Sequence, residues 1–198
     1  VLFGTGLFLQ VADRSDGTKR SIYGIRDNPA ATSTLTNVKT SGNLKQQTLV
    51  TSGSSRTISP SSVAVDWTTD YGWFLELLDT GERVNVDPKL QLGTFIVASN
   101  VPDNTNANSC TTGGYSWLNF LDITTGGAIN NSQSNPDDLA STKIGNALAV
   151  GVNAVKLPNG KLITITTTSD NKHPVNETPI GTANLPLKRI SWRELTTD

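Results

Sequence analysis

At 198 residues the chain is long enough for one large β domain or two small ones, and its net charge of −1 gives no electrostatic footprint for nucleic acid or an anionic membrane. Only 17% of residues are charged and 35% hydrophobic, with 17 glycines and a texture rich in Ser, Thr and Asn; this favours turns and strands over helix interiors and fits a secreted or surface protein. No run of about 20 apolar residues is present to cross a membrane as a helix.

The chain opens inside an apolar strand, Val1-Leu2-Phe3-Gly4, and contains no methionine. It reads as a fragment or processed product whose targeting signal lies upstream. Strands are expected near 1–9, 21–26, 44–51, 54–58, 71–78, 82–86, 93–100, 114–122, 146–155, 161–168 and 188–195. Alternation is cleanest in Trp73-Phe74-Leu75-Glu76-Leu77-Leu78, a strand covered on one face and mostly on the other. Asp79-Thr80-Gly81-Glu82 follows as a hairpin turn with Gly81 free to take positive φ. Asp122-Ile123-Thr124-Thr125-Gly126-Gly127 and Pro158-Asn159-Gly160 supply two more turns. The one helix candidate is 136–143, opened by Asn135-Pro136-Asp137-Asp138, where asparagine caps and proline fits the first turn.

Three hairpins share a signature: an apolar strand flanked by glycine, a variable loop, then serine and a large residue in a period-2 run. The serine-led segments are Ser21-Ile22-Tyr23-Gly24-Ile25, Ser116 to Asp122 and Ser191-Trp192-Arg193-Glu194-Leu195. Repeated units of this kind form the blades of a radial β architecture, because one such sheet cannot bury both faces alone. The copies are unevenly spaced, and no charge run or proline-rich spacer separates them, so 1–198 reads as one body.

At these residues the chain resembles the C-terminal β-propeller domain of the PilY/PilC family, adhesins associated with the tip of type IV pili. The resemblance rests on Val1 to Gly6, Ser21 to Ile25, Gly72 to Leu75, Gly81 to Val84, Cys110 to Asp122, Thr125-Gly126-Gly127 and Arg189 to Leu195, in order from end to end. It implies an all-β fold, a partial β-propeller made of the C-terminal blades of a quinoprotein-like, PilY-type ring. It marks Tyr23, Trp73, Trp117, Asp122, Gly126 and Trp192 as the structural signature. It further implies an exported protein at the bacterial surface, pilus tip or outer membrane, with upstream blades of the same polypeptide, minor pilins and host or abiotic surfaces as partners. Arg26 stands where the family usually carries an aromatic, and the loops 28–43 and 166–186 match nothing in it. The family's calcium loop lies upstream; these residues contain no Asp-x-Asp-x-Asp-Gly pattern and no Arg-Gly-Asp, so calcium belongs to the rest of a full-length protein.

No residue pattern commits the chain to catalysis. His173 is the single histidine and reads as a solvated loop residue. Asp103-Asn104-Thr105-Asn106-Ala107-Asn108 offers alternating oxygens but no second carboxylate, and reads as a polar turn. Asp137 and Asp138 answer a helix dipole, and the tryptophans at strand positions read as core. Cys110, alone, is either a buried free thiol or half of a bridge to a cysteine upstream. The expectation is a non-enzymatic module of a pilus-tip adhesin and biogenesis factor, supporting pilus assembly, adhesion and twitching motility, with no catalytic, cofactor or metal residues in this segment. The blade end Leu121-Asp122-x-x-Thr125-Gly126-Gly127 also resembles the repeats of quinoprotein dehydrogenases, which keeps an enzyme open as the alternative; a secreted glycan-binding propeller is the third reading. An open arc of blades is expected to leave unpaired edges that associate when the segment is produced alone.

Overall fold

Stretches rich in Val, Ile, Thr and aromatic residues, broken by glycine turns, become, among the described residues, thirteen strands and one short 3₁₀ turn, Val11–Ser15. The computed structural model describes residues 1–26, 39–40, 42–103, 113–129 and 138–181. Among these the chain is all-β, arranged in three sheets, none of them closed.

The first sheet has the order β1 (Leu2–Gly4), β2 (Ser21–Ile25), β6 (Gly72–Glu76), β3 (Leu44–Gln47). Its first three strands are antiparallel, and β3 runs parallel to β6. The central sheet has the order β4 (Leu49–Ser52), β5 (Ser55–Ile58), β10 (Leu139–Gly145), β9 (Gly114–Asp122), β8 (Thr94–Pro102), β7 (Lys89–Gln91), antiparallel throughout. The third is a meander of β11 (Ala149–Lys156), β12 (Leu162–Thr168) and β13 (Val175–Thr178).

At the middle of the central sheet the β8/β9 ladder is buried on both faces. In the β8/β9 ladder, Phe95 opposes Leu121 and Val97 opposes Asn119 on one face, while Ile96 opposes Phe120 and Ala98 opposes Leu118 on the other. Phe95, Val97 and Leu121 join Ile22, Trp73 and Leu75 of the first sheet in one core. Ile96, Ala98, Leu118 and Phe120 join Ala149, Val152 and Leu162 of the third sheet in a second core. Period-2 alternation therefore makes one ladder the shared wall of two cores.

A tryptophan between two glycines fastens the first sheet to the central one. Trp73 is fully buried and donates its indole N–H to the carbonyl of Ile123, 3.1 Å away. A Cβ at Gly24, its partner across the β2/β6 ladder, would lie 2.3 Å from the indole; one at Gly126 would lie 2.2 Å from it. Gly126 reaches this position because Asp122 shapes the turn after β9: its carboxylate accepts the backbone N–H groups of Thr124 at 2.8 Å and Thr125 at 3.0 Å, and its carbonyl accepts that of Gly126. The turn ends with Gly126 at φ +69°.

The expected hairpins β1/β2 and β8/β9 both form, and Gly81 takes φ +73° in its turn. The third signature, Ser191 to Leu195, lies outside the described residues, as do the strand near 188–195 and Asn135 to Asp137. Several expectations are corrected. Residues 139–143 are not helical; Leu139 to Gly145 fill the gap between β5 and β9 as β10, where pairing on both sides outweighs a local cap signal. The expected strand 44–51 divides at Thr48 into β3 and β4, which belong to different sheets. Around 82–86 only an isolated bridge forms, Arg83 to Asn100. The 1–9 strand shrinks to three residues, and β7 and β13 carried too little alternation to be marked.

Gly126→Ala is expected to cost about 3 kcal/mol, from left-handed strain and overpacking against Trp73 together. Gly53→Ala, also at positive φ but with open space around it, is expected to cost about 1 kcal/mol. Urea melts of the two variants measure the difference.

Candidate functional site

One group of buried polar side chains gathers on the face of the central sheet that packs against the first. Arg56 of β5 and Glu82 are both fully buried, and Arg56 Nη1 donates to Glu82 Oε1 at 2.8 Å. Ser99 Oγ donates to the same oxygen at 2.6 Å, and the other carboxylate oxygen accepts the backbone N–H of Asp79 at 3.1 Å. Arg56 Nη2 lies 2.8 Å from Asp79 Oδ2, which also accepts Trp117 Nε1 at 2.8 Å and Tyr115 Oη at 3.0 Å. The guanidinium carbon stands 3.8 Å from the centroid of the Trp117 ring, so the cation stacks on the indole while its Nε finds no acceptor. Burial first, and then the bond to Asp79, push the Tyr115 hydroxyl up to about 12.

Next to this network a buried cation holds a surface loop. Arg83 Nε donates to the carbonyl of Gly81 at 2.8 Å; Nη1 donates to those of Leu7 at 2.8 Å and Asp13 at 2.5 Å, and Nη2 to that of Asp16 at 2.7 Å. The 3₁₀ turn is thereby fixed over the β6–β7 connection. Asp13 caps it, accepting the N–H groups of Leu9 and Gln10, and these bonds lower its pKa. Between this loop and the β8–β9 end is a cleft of about 560 Å³, lined by Arg14, Asp16, Thr80, Asp103, Tyr115 and Asn146 among others. Asn146 also lines a smaller cavity of about 300 Å³ that includes Asp170, Lys172 and His173.

Five of the six signature residues fall within the described structure, in three separate places. Trp73, Asp122 and Gly126 form the fastening between sheets. Trp117 covers Arg56. Tyr23 lies on the opposite face of the first sheet, stacked on Phe3 at 5.0 Å and on Phe74 at 6.2 Å between centroids. Trp192, Cys110, Asp137 and the run from Asn104 to Asn108 lie outside the described residues. His173 is exposed, and Asp138 precedes β10 at φ +51°. Among the described residues no three His, Cys, Asp or Glu side chains converge as a metal site. Arg56 went unmarked in the sequence, and Glu82 and Arg83 were singled out only as part of the Gly81 to Val84 segment of the resemblance, with no burial expected of them, since a charge on a strand ordinarily faces water.

No family model matches the chain, and no solved structure matches it significantly. One curated protein does. The chain is similar to the type IV pilus biogenesis factor PilY1 homolog of Xylella fastidiosa, with 26% identity over 157 residues, covering 74% of this chain and 10% of that protein. It thus spans about a tenth of the length of the curated relative it matches. No helix among the described residues is long and apolar enough to cross a membrane.

Removing the Trp117 side chain takes away buried area, the stack on Arg56 and a donor to Asp79. Trp117→Ala is expected to destabilise the protein by about 3–5 kcal/mol, and His173→Ala by less than about 0.5 kcal/mol; coincident urea melts would contradict both assignments. Tyr115 is expected to ionise near pH 12 in an absorbance titration of the native protein. Because its folded pKa is raised, its contribution to stability is complete below the unfolded value, about 10, and is lost as pH rises toward 12.

Proposed function

We propose that this chain is part of a type IV pilus biogenesis factor of the PilY1 kind, exported to the cell surface, where it acts as a non-enzymatic module in assembly, adhesion and twitching. The observation that carries this reading is the similarity to the PilY1 homolog across 74% of the chain. The three stacked sheets are read as consecutive blades of a propeller completed by other parts of a longer polypeptide. The fastening of Trp73 on Gly126 supports that reading, because it joins one sheet to the turn of the next at a position fixed in both. The buried Arg56 network supports a structural role for these polar residues, since Glu82 and Asp79 are already occupied by donors from four side chains. Partners are minor pilins and, at the pilus tip, host or abiotic surfaces.

The test uses a bacterium lacking its own PilY1-type gene, complemented with the full-length protein that contains this segment. The intact gene is expected to restore surface pili and twitching. The Gly126→Ala version is expected to restore neither at the temperature where the segment unfolds, and the Gly53→Ala version to restore both. Full piliation and motility with this segment deleted would overturn the proposal. The purified protein is further expected to show no quinone absorbance; its presence would favour the dehydrogenase alternative.

A further inference from the structure

Strand β10 ends in an irregularity. Its register against β9 shifts between Lys143 and Gly145, and Gly145 takes φ +145°, with nothing within 4 Å of the place a Cβ would fill. A bulge and a glycine of this kind re-aim the next residue and leave the backbone open to close approach. The next residue is Asn146. It is exposed, and its carboxamide has no hydrogen-bond partner among the described residues. It also stands where two cavities adjoin, since it lines both the cleft of about 560 Å³ and the cavity of about 300 Å³.

The walls on either side of Asn146 are held in place. In the larger cleft Arg83 fixes the carbonyls of Asp13 and Asp16, and Arg14 Nη2 donates to the carbonyl of Asp103 at 2.9 Å. Tyr115 is pinned by its hydroxyl on Asp79 and by Lys143 Nζ, 4.0 Å from the ring centroid. In the smaller cavity Thr168 Oγ1 donates to Asp170 Oδ1 at 2.6 Å. Little ordering therefore opposes the entry of a ligand. The carboxylates of Asp16 and Asp170 are already ion-paired, with Arg20 at 2.5 Å and Lys172 at 2.7 Å, so neither offers a bare charge to an ionic ligand. What the lining does offer is hydroxyl and amide groups, on Ser15, Thr80 and Asn146, beside small apolar surfaces, Pro102 and Tyr115 in one cavity and Pro174 in the other. A sugar ring has the matching two aspects: hydroxyls that each donate and accept, around C–H faces that are apolar.

We propose that the two cavities meeting at Asn146 bind a neutral oligosaccharide. The Asn146 carboxamide is the group that reads adjacent hydroxyls, donating through Nδ2 to one and accepting through Oδ1 from the next. Gly145, without a side chain, lets the sugar approach the backbone, and two adjoining cavities suit more than one ring. The inference rests on these cavities alone, and it holds or fails separately from the pilus reading.

The probes are cellohexaose, chitohexaose and mannohexaose, each titrated into the whole isotope-labelled chain and followed by amide NMR. At least one is expected to shift the Gly145, Asn146 and Ala147 signals and to saturate below about 10 mM. Asn146→Ala is expected to weaken that binding about tenfold. Asn146→Trp fills the junction and is expected to abolish the shifts, while the amides of Thr164 and Thr166 in β12 keep their native positions. No shift from any of the three sugars, shifts confined to another surface, or equal affinity in Asn146→Ala overturns the proposal. A hexapeptide of alternating serine and threonine that binds as tightly assigns the cavities to peptides, and tighter binding of hexagalacturonate assigns them to an anion; either result overturns it as well. If a variant does not fold, the place of the shifts in the unaltered chain makes the same decision.

Discussion

A sheet buried on both faces has no solvent in which to place its polar side chains, and the β8/β9 ladder is such a sheet. Its apolar positions serve two cores, but Ser99, Asn100, Ser116 and Asn119 also point inward and are each almost fully buried. Every one is bonded. On one face Asn119 Nδ2 donates to Ser99 Oγ and its carbonyl accepts from Ser141 Oγ, while Ser99 donates to Glu82. On the other, Asn100 Oδ1 accepts from Ser116 Oγ and from the Ala149 N–H, and Asn100 Nδ2 donates to the Ala149 carbonyl. Unsatisfied, each such group would cost about 1–3 kcal/mol, so the neighbouring elements are held to the positions that supply partners. Arg56 is the most demanding of these groups. Desolvating a cation is offset only if anions and a π face surround it, and Glu82, Asp79 and Trp117 do so from three separate elements.

The same logic extends outward. Arg83 is joined to the central sheet by two reciprocal backbone hydrogen bonds with Asn100, and orders the loop from Leu7 to Asp16 by bonding its carbonyls instead of any carboxylate. Burial lowers its pKa without a salt bridge to oppose the change fully. The loop's position thus depends on a residue far away in sequence. The two glycines around Trp73 act the same way, with the absence of a side chain as the fitted part.

What was legible in the sequence was the part governed by period 2 and by turn chemistry. Trp73 to Glu76, Thr94 to Asn100 and Gly114 to Asp122 are strands as their alternation requires, and Asp122 to Gly127 turns as Asp and Gly dictate. The burial of Trp73 and Trp117 follows from the same pattern. What was not legible depended on partners remote in the chain. Leu139 to Ile144 becomes a strand because β5 and β9 leave a vacancy of that width, and no local propensity says so. Arg56 and Glu82 lie 26 residues apart, and neither carries a mark of its burial. The PilY/PilC resemblance included Trp117 and the segment Gly81 to Val84, but it gave no sign that Glu82 and Trp117 meet Arg56 in one buried network.

Thr48 joins two sheets with a single residue. Its N–H donates to Ser62 Oγ and not to a strand partner, and its carbonyl accepts the N–H of Ser59. The chain therefore passes from β3 to β4 without slack between the first layer and the central one. A load pulling these layers apart passes through Thr48 directly to the adjoining ends of β3 and β4, where the β3/β6 and β4/β5 ladders hold the chain. Where the layers of a sheet protein are joined by long loops, such a load is first spent in straightening them. Here it is carried by hydrogen bonds from the start.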